Sequence, residues 1–271
     1  MPKLIKTLLK LLTGAYLLLC LGVYFAQHHL IFNFAPVEMD HVYAYDTPHE
    51  FITLDKEGVS LHGVLFKVKE KSKSRKLVLY FKGNAGNIGH SERMAKTFLA
   101  LGYDVLSMDY RNFGKSRGAF TEEGLLEDAL DWSQHAATKY GTENIKVAAW
   151  SMGGAFAAHL ALETGIKDFI VFAPFKSVVD MGYRRHPYFV HEWFSRFPLR
   201  SDLRLSRIKD KSYIIYHGTK DKIVPYASGK ALYESSNQNS VSFKTIEGEN
   251  HLDIPWHTEV LSDIHSRWHL N

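Results

Sequence analysis

Residues 145–155, Ile-Lys-Val-Ala-Ala-Trp-Ser-Met-Gly-Gly-Ala, constrain the fold more than any other stretch of the chain. Val147, Ala148, Ala149 and Trp150 form a short apolar run that suits a buried central strand. Ser151 follows among small residues, and a helix-like run extends from Gly153 to about Glu163. A strand, a sharp turn with a serine at its tip and a helix make a nucleophile elbow, in which the turn lifts the hydroxyl above the sheet. Gly153 and Gly154 let the helix pass close to the strand, where a side chain would collide. Ala149 stands where such a turn usually has glycine, and as a small residue it keeps the steric logic. A lone S-x-G is common by chance, so the reading needs partners elsewhere.

At 271 residues the chain suits one large α/β domain or two small ones, and 45% apolar residues are enough for a core. The net charge of +4 is mild, and basic residues do not gather with aromatics, which argues against a nucleic-acid partner. With Cys20 as the single cysteine, no intrachain disulfide can form.

Lys3, Lys6 and Lys10 precede an apolar run over residues 11–26, which Leu8 and Leu9 extend backwards. Its length is at the short end of a membrane span. Apolar residues on all faces, with only Thr13 weakly polar, oppose an amphipathic soluble helix. A cleaved signal peptide lacks a clear A-x-A site, and Leu19 is too large to precede a lipoprotein Cys20. A signal anchor is the reading that remains. Lysines before the span, and only Gln27, His28 and His29 directly after it, put the N-terminus in the cytoplasm and the rest on the periplasmic or extracytoplasmic side.

Residues 50–54 and 59–68 read as an edge hairpin turned by Lys56-Glu57-Gly58. An apolar strand over 76–81 runs into Lys82-Gly83-Asn84-Ala85-Gly86-Asn87, followed by a helix over about 88–101 and a strand over 104–108. This is a parallel α/β unit. The glycine loop fits neither phosphate-binding spacing, so a nucleotide site is disfavoured. In the next loop Asp109 and Arg111 are expected to pair. Thr121 is an N-cap candidate, with Glu122 and Glu123 in the favourable first turn. Residues 178–206 lose simple periodicity and form a candidate cap. There Tyr188, Phe189, Trp193 and Phe194 are candidates to line an apolar substrate pocket or to face the membrane, the alternative being that they only pack the cap down. His186 and His191 lack the acidic or cysteine companions a metal pair needs.

Strands ending at residue 149 and near 217 and 246 bring Ser151, Asp221 and His251 to one edge of a parallel sheet, in the chain order Ser, Asp, His. A serine hydroxyl is a weak nucleophile alone. His251 would take its proton, and Asp221 would hold the imidazole tautomer and stabilise the imidazolium. Asp253 is the rival acid, but belongs to the histidine's own loop. The oxyanion requires two backbone N–H groups. Met152, after the nucleophile, supplies one, and Asn84 or Ala85 in the glycine loop the other.

These motifs resemble the α/β-hydrolase-domain serine hydrolases, in particular a membrane-anchored branch that includes protein depalmitoylases and lysophospholipid lipases. The likeness lies at residues 83–89, at Asp109-Tyr110-Arg111 through Gly118, at Ser151-Met152-Gly153-Gly154, at residues 217–225, and at Gly248-Glu249-Asn250-His251. It covers about residues 50–268. It implies an α/β-hydrolase fold with a mostly parallel sheet, a small aromatic-rich cap and an N-terminal transmembrane helix. Residues 1–32 would be anchor and tether, and residues 33–271 the hydrolase domain with its cap insertion at about 178–206. It also implies a metal-independent, cofactor-free esterase, lipase or thioesterase worked by Ser151, Asp221 and His251. The branch usually has histidine where this chain has Lys82, and glycine where Asn112 and Ala149 stand.

The expected chemistry is hydrolysis of an acyl ester or thioester, on a lipid-like substrate, through an acyl-enzyme. A peptidase on the same fold would need carboxylates for a free amino terminus, and the cap shows no compelling cluster. A non-catalytic membrane-anchored binding protein is opposed by the complete set of three residues.

Overall fold

The computed structural model describes residues 3–69, 76–188 and 191–269. A long helix, α1 (Lys3–Ile31), comes first, then the hairpin of β1 (His49–Lys56) and β2 (Val59–Phe66). β3 (Leu77–Phe81), α2 (Glu92–Leu99), β4 (Asp104–Met108), α3 (Glu122–Tyr140) and β5 (Ile145–Trp150) follow. α4 (Gly153–Glu163) leaves the serine turn and leads to β6 (Asp168–Phe172). Three short helices come next: α5 (Val178–Arg185), α6 (His191–Phe194) and α7 (Ser201–Leu205). β7 (Ser212–Gly218), α8 (Tyr226–Glu234), β8 (Val241–Ile246) and α9 (Thr258–Trp268) complete the chain.

The eight strands form one sheet in the order β1-β2-β4-β3-β5-β6-β7-β8. β2 is antiparallel to both β1 and β4, and the pairs from β4 across to β8 are parallel. β3 and β4 are buried along their whole length, as expected of strands covered on both faces, whose residues read as continuous apolar runs. One apolar layer packs Leu125 and Trp132 of α3 and Phe156 of α4 on the sheet. The other packs Phe98 of α2 and Val260, Ile264 and Trp268 of α9 on the opposite face. In each α/β crossover the loop that leaves a strand's C-terminal end emerges at the same edge, so the chemistry-bearing loops gather there.

α3 starts where the sequence signals it. The Thr121 hydroxyl accepts the Gly124 N–H (3.1 Å), and Gly141 ends the helix at φ 77°. The helix expected over 88–101 is instead a short turn over Ile88–His90 followed by α2. The Asn87 carboxamide accepts the Gly89 N–H (3.0 Å), and the Ser91 hydroxyl turns inward to Ser107 (2.6 Å), so the chain re-enters a helix only at Glu92.

One expected pairing is overturned. Arg111 does not pair with Asp109 but makes a bidentate, buried bond to Asp128 of α3, at 2.7 and 2.8 Å. Asp109 turns the other way, accepting the Ile88 N–H (3.0 Å) and facing Lys82. The chain turns at Arg111 and Asn112, directly after β4, so these two side chains do not keep the common face that a two-residue spacing would give them in a strand.

α1 is long and apolar enough to cross a membrane by length and composition. Leucines 4, 8, 9, 11, 12, 17, 18 and 19 of its first two-thirds are exposed. Its last third docks on the domain. Just past its end Phe32 is buried, edge-on to Phe120 (4.7 Å) and Phe197 (5.0 Å).

Candidate active site

Ser151 sits at φ 53° in the turn between β5 and α4. A non-glycine residue in this left-handed region costs on the order of 1–3 kcal/mol and persists only when its surroundings fix it. They do so here. Its N–H donates to the Phe172 carbonyl (2.8 Å), and its carbonyl accepts the Gly154 N–H (3.0 Å). A Cβ on Gly153 would lie 2.2 Å from the Phe81 carbonyl oxygen, and one on Gly154 would lie 2.8 Å from Pro174 Cβ. Gly153 therefore allows α4 to start against the end of β3, and Gly154 allows it to pass the end of β6.

Asp221 and His251 come together from the loops after β7 and β8. His251 Nδ1 donates to Asp221 Oδ2 at 2.6 Å, with both residues buried. Asp221 Oδ1 accepts the N–H groups of Ile223 (2.9 Å) and Val224 (2.8 Å). Burial alone would push the Asp221 carboxyl up. Hydrogen bonds from His217 and His251 outweigh it and hold the group well below the usual carboxylate range. Asp253 is engaged elsewhere, accepting from Asn250 Nδ2 (2.5 Å). The His251 ring lies 6.0 Å from that of Trp150, the residue before Ser151. Among the described residues no hydrogen bond yet joins the Ser151 hydroxyl to the imidazole. Such bonds often tighten only when substrate is bound.

The glycine loop passes beside the serine, where a Cβ on Gly83 would stand 3.6 Å from Ser151 Cβ. Neither the Met152 N–H, at the start of α4, nor those of Asn84 and Ala85 have a partner among the described residues. Met152 and Asn84 line the same cavity as Ser151, whereas Ala85 does not. Lys82 holds the loop from below. Its buried ammonium donates to the Gly86 carbonyl (2.9 Å), lies 3.7 Å from Asp109 and sits 4.2 Å from the centre of the Phe113 ring. Burial pushes the Lys82 ammonium down to about 8 and the Asp109 carboxyl up to about 6, each against the attraction of the other.

Above Ser151 opens a cavity of about 500 Å³, lined largely by apolar side chains. Phe175, Val178, Val179 and Met181 form one side of it. Of the four cap aromatics expected to line it, Phe194 does. Tyr188 does not: it is 84% exposed and faces outward, because the short helices turn it away from the cavity. Phe189 lies outside the described residues, as does the side chain of Trp193. The opposite side comes from α1, through Cys20, Val23, Tyr24, Gln27, Leu30 and Ile31. From the sequence, Leu30, Ile31 and Phe32 are free to touch the bilayer interface or pack on the domain, and the helix before them reads as an anchor. The signal available was the 20, 23, 24, 27, 31 spacing, which carries the amide of Gln27.

His217 was also passed over. It is fully buried, its Nε2 donates to the Val224 carbonyl (2.9 Å), and it lies 3.4 Å from Asp221 Oδ2. Among the described residues no group of three or more His, Cys, Asp or Glu is arranged to hold a metal ion.

A comparison with known families matches residues 72–213 to the family described as Serine aminopeptidase, S33. Among curated proteins, the lysophosphatidylserine lipase ABHD12 of Gallus gallus is 29% identical over 207 residues, covering 69% of this chain and 53% of that protein. The chain thus spans about half the length of the curated relatives it matches first. The protein bem46 of Schizosaccharomyces pombe is 33% identical over 184 residues, covering 65% of this chain and 60% of its own. Among solved structures, Est1E of Butyrivibrio proteoclasticus with ferulic acid bound superposes with a TM-score of 0.65 at 22% identity, covering 80% of this chain and 98% of that one. The Pyrococcus furiosus esterase Pf2001 gives 0.67 at 19% identity, covering 88% and 99%. At these identities the two structures share the fold.

Proposed function

The chain belongs to the family described as Serine aminopeptidase, S33, with an α/β-hydrolase domain related to the ABHD12-like lipase branch, and on that premise we propose that it is a membrane-anchored serine hydrolase of acyl esters or thioesters. The observation that carries the reading is the apolar cavity over Ser151, beside the 2.6 Å Asp221–His251 pair.

In the first half-reaction His251 Nε2 removes the Ser151 proton as the oxygen attacks the acyl carbonyl. Negative charge moves to the carbonyl oxygen, which accepts from the Met152 and Asn84 N–H groups. The tetrahedral intermediate collapses, the carbon–oxygen or carbon–sulfur bond breaks, and His251 gives its proton to the leaving alcohol or thiol. Water, deprotonated by His251, then attacks the acyl-serine, and Ser151 regains its proton as the fatty acid leaves. Asp221 keeps the Nδ1 proton in place throughout and offsets the imidazolium charge. No cofactor enters these steps. Residues 1–32 act as anchor and tether, and 178–206 as the cap.

The family's description raises the aminopeptidase reading. An amino terminus carries a positive charge that needs a carboxylate, yet none of the described residues lining the cavity is acidic, and Arg185 is among them. That favours acyl substrates, as do the relatives named as lysophosphatidylserine lipases.

The test uses the detergent-solubilised protein and Ser151→Ala with a fluorophosphonate probe, an acetyl-to-palmitoyl nitrophenyl ester series and aminoacyl amides. Labelling and ester turnover are expected in the wild type. Both are expected to fall by about a thousandfold or more in the variant, the scale of losing a covalent nucleophile. A folded wild type that does not label would sink the proposal. Turnover of amides but not esters would transfer it to a peptidase.

A further inference from the structure

We infer that the last third of α1 is one wall of an acyl-chain site, so that the substrate's hydrocarbon enters sideways from the bilayer along this helix. The inference rests on the hydrolase reading above.

The first observation is where the cavity lies. Cys20, Val23, Tyr24, Gln27 and Ile31 recur at helical spacing on one face of α1, and this face looks into the same cavity as Ser151. The opposite wall is α5 and its flanking residues, so the cavity is a slot between the helix and the cap.

Two contacts hold the slot together. Gln27 is buried and uses both ends of its carboxamide on the cap backbone. Its Nε2 donates to the Phe194 carbonyl, and its Oε1 accepts the Arg196 N–H (2.7 Å). Higher up the helix, Tyr16 donates to the Tyr188 carbonyl (2.8 Å). The cap therefore lies along α1 from Tyr16 to Gln27.

The helix end also holds the oxyanion loop. Asn84 Nδ2 donates to the Ile31 carbonyl (2.6 Å), one of the carbonyls a helix terminus leaves without an internal partner. Asn84 Oδ1 accepts the Asn33 N–H (3.3 Å). The Asn84 side chain is thus a positioning group that ties its own loop to α1.

Length then fixes the depth. A hydrocarbon core of about 30 Å takes about 20 helical residues. Counted from Lys3, where α1 begins, that span reaches Gly22, beyond both Tyr16 and Cys20. Counting from Lys10 carries it to His29, two residues before the end of the helix. Wherever the span starts, the end of the slot at Cys20 lies within the hydrocarbon. The exposed Tyr183, Tyr188 and Phe194 of the cap are side chains that tolerate that setting, and the neighbouring Arg184 and Arg185 are held by Asp180 and the Ile223 carbonyl. A single-chain amphiphile would keep its head at the surface and lay its tail in the slot toward Cys20, with its carbonyl at the Ile31 end, beside Ser151.

The test uses the full chain in lipid nanodiscs. Cys20 is the only cysteine, so a maleimide reports on the slot alone. A hexadecyl fluorophosphonate, bound through Ser151, is expected to slow Cys20 alkylation by about tenfold, while an ethyl fluorophosphonate leaves it unchanged, the difference being the apolar tail. In parallel, Val23→Trp, which fills the slot from the α1 side, is expected to lower the palmitoyl-to-acetyl turnover ratio by about tenfold or more. Leu11→Trp, on the exposed part of α1, is expected to leave that ratio alone. Equal Cys20 alkylation under both phosphonates, with an unmoved ratio in Val23→Trp, would overturn the inference. Labelling by the ethyl but not the hexadecyl phosphonate would also overturn it, whereas failure of both to label the wild type would instead remove the hydrolase reading on which it rests.

Discussion

Lys82 stands where the branch this chain resembles usually has histidine, and its environment gives that departure a consequence. The ammonium is buried between Asp109 and the Gly86 carbonyl, under the loop that carries Asn84. With Lys82 lowered to about 8 and Asp109 raised to about 6, both are charged only between those values. Above about pH 8 the lysine loses its proton, the charge-assisted bond to Gly86 weakens, and the loop beneath the oxyanion loosens. Below about pH 6 the aspartate gains a proton and the pair is lost from the other side. Ester kcat/KM is therefore expected to decline as pH rises through about 8, and Lys82→His is expected to abolish that alkaline decline. An identical alkaline limb in both proteins would remove Lys82 from the account. Asp221 contributes nothing to either limb, because its carboxyl stays ionised well below the usual range. Ser151, Asp221 and His251 were readable from the sequence because each follows a strand end. The Lys82–Asp109 contact was not, since the direction of a buried side chain depends on the loops packed around it.

At the scale of elements, the turn between β5 and α4 depends on backbone passing backbone. A Cβ at 153 would meet the Phe81 carbonyl at 2.2 Å, and main chain cannot rotate out of the way as a side chain can. Gly153→Ala is expected to lose on the order of 2–3 kcal/mol of stability, read as a lowered melting temperature, and to lose fluorophosphonate labelling even where it folds. A variant with unchanged melting and labelling would contradict the close approach. The central strands were legible because a strand covered on both faces writes itself as an unbroken apolar run, as Leu77–Phe81 does. The cap was legible only as an insertion over 178–206, and its helices were not, because they are too short to show a period. The docked face of α1 was hidden for the opposite reason: a helix apolar all round gives no contrast to show which stripe is covered.

For the molecule as a whole, the three lysines ahead of an apolar helix predict a single orientation in the membrane. In right-side-out vesicles added protease is expected to digest the hydrolase domain, and in inside-out vesicles to spare it. The reverse pattern would invert the topology and place the site on the cytoplasmic side. The grip of Gln27 carries a further consequence. It holds the cap by the Phe194 carbonyl and the Arg196 N–H, groups that every residue but proline supplies in full. Side chains at these positions can therefore be exchanged while the seat on α1 persists. The cap is an interchangeable part, and evolution or an engineer can retune it for a new tail without rebuilding the joint that holds it.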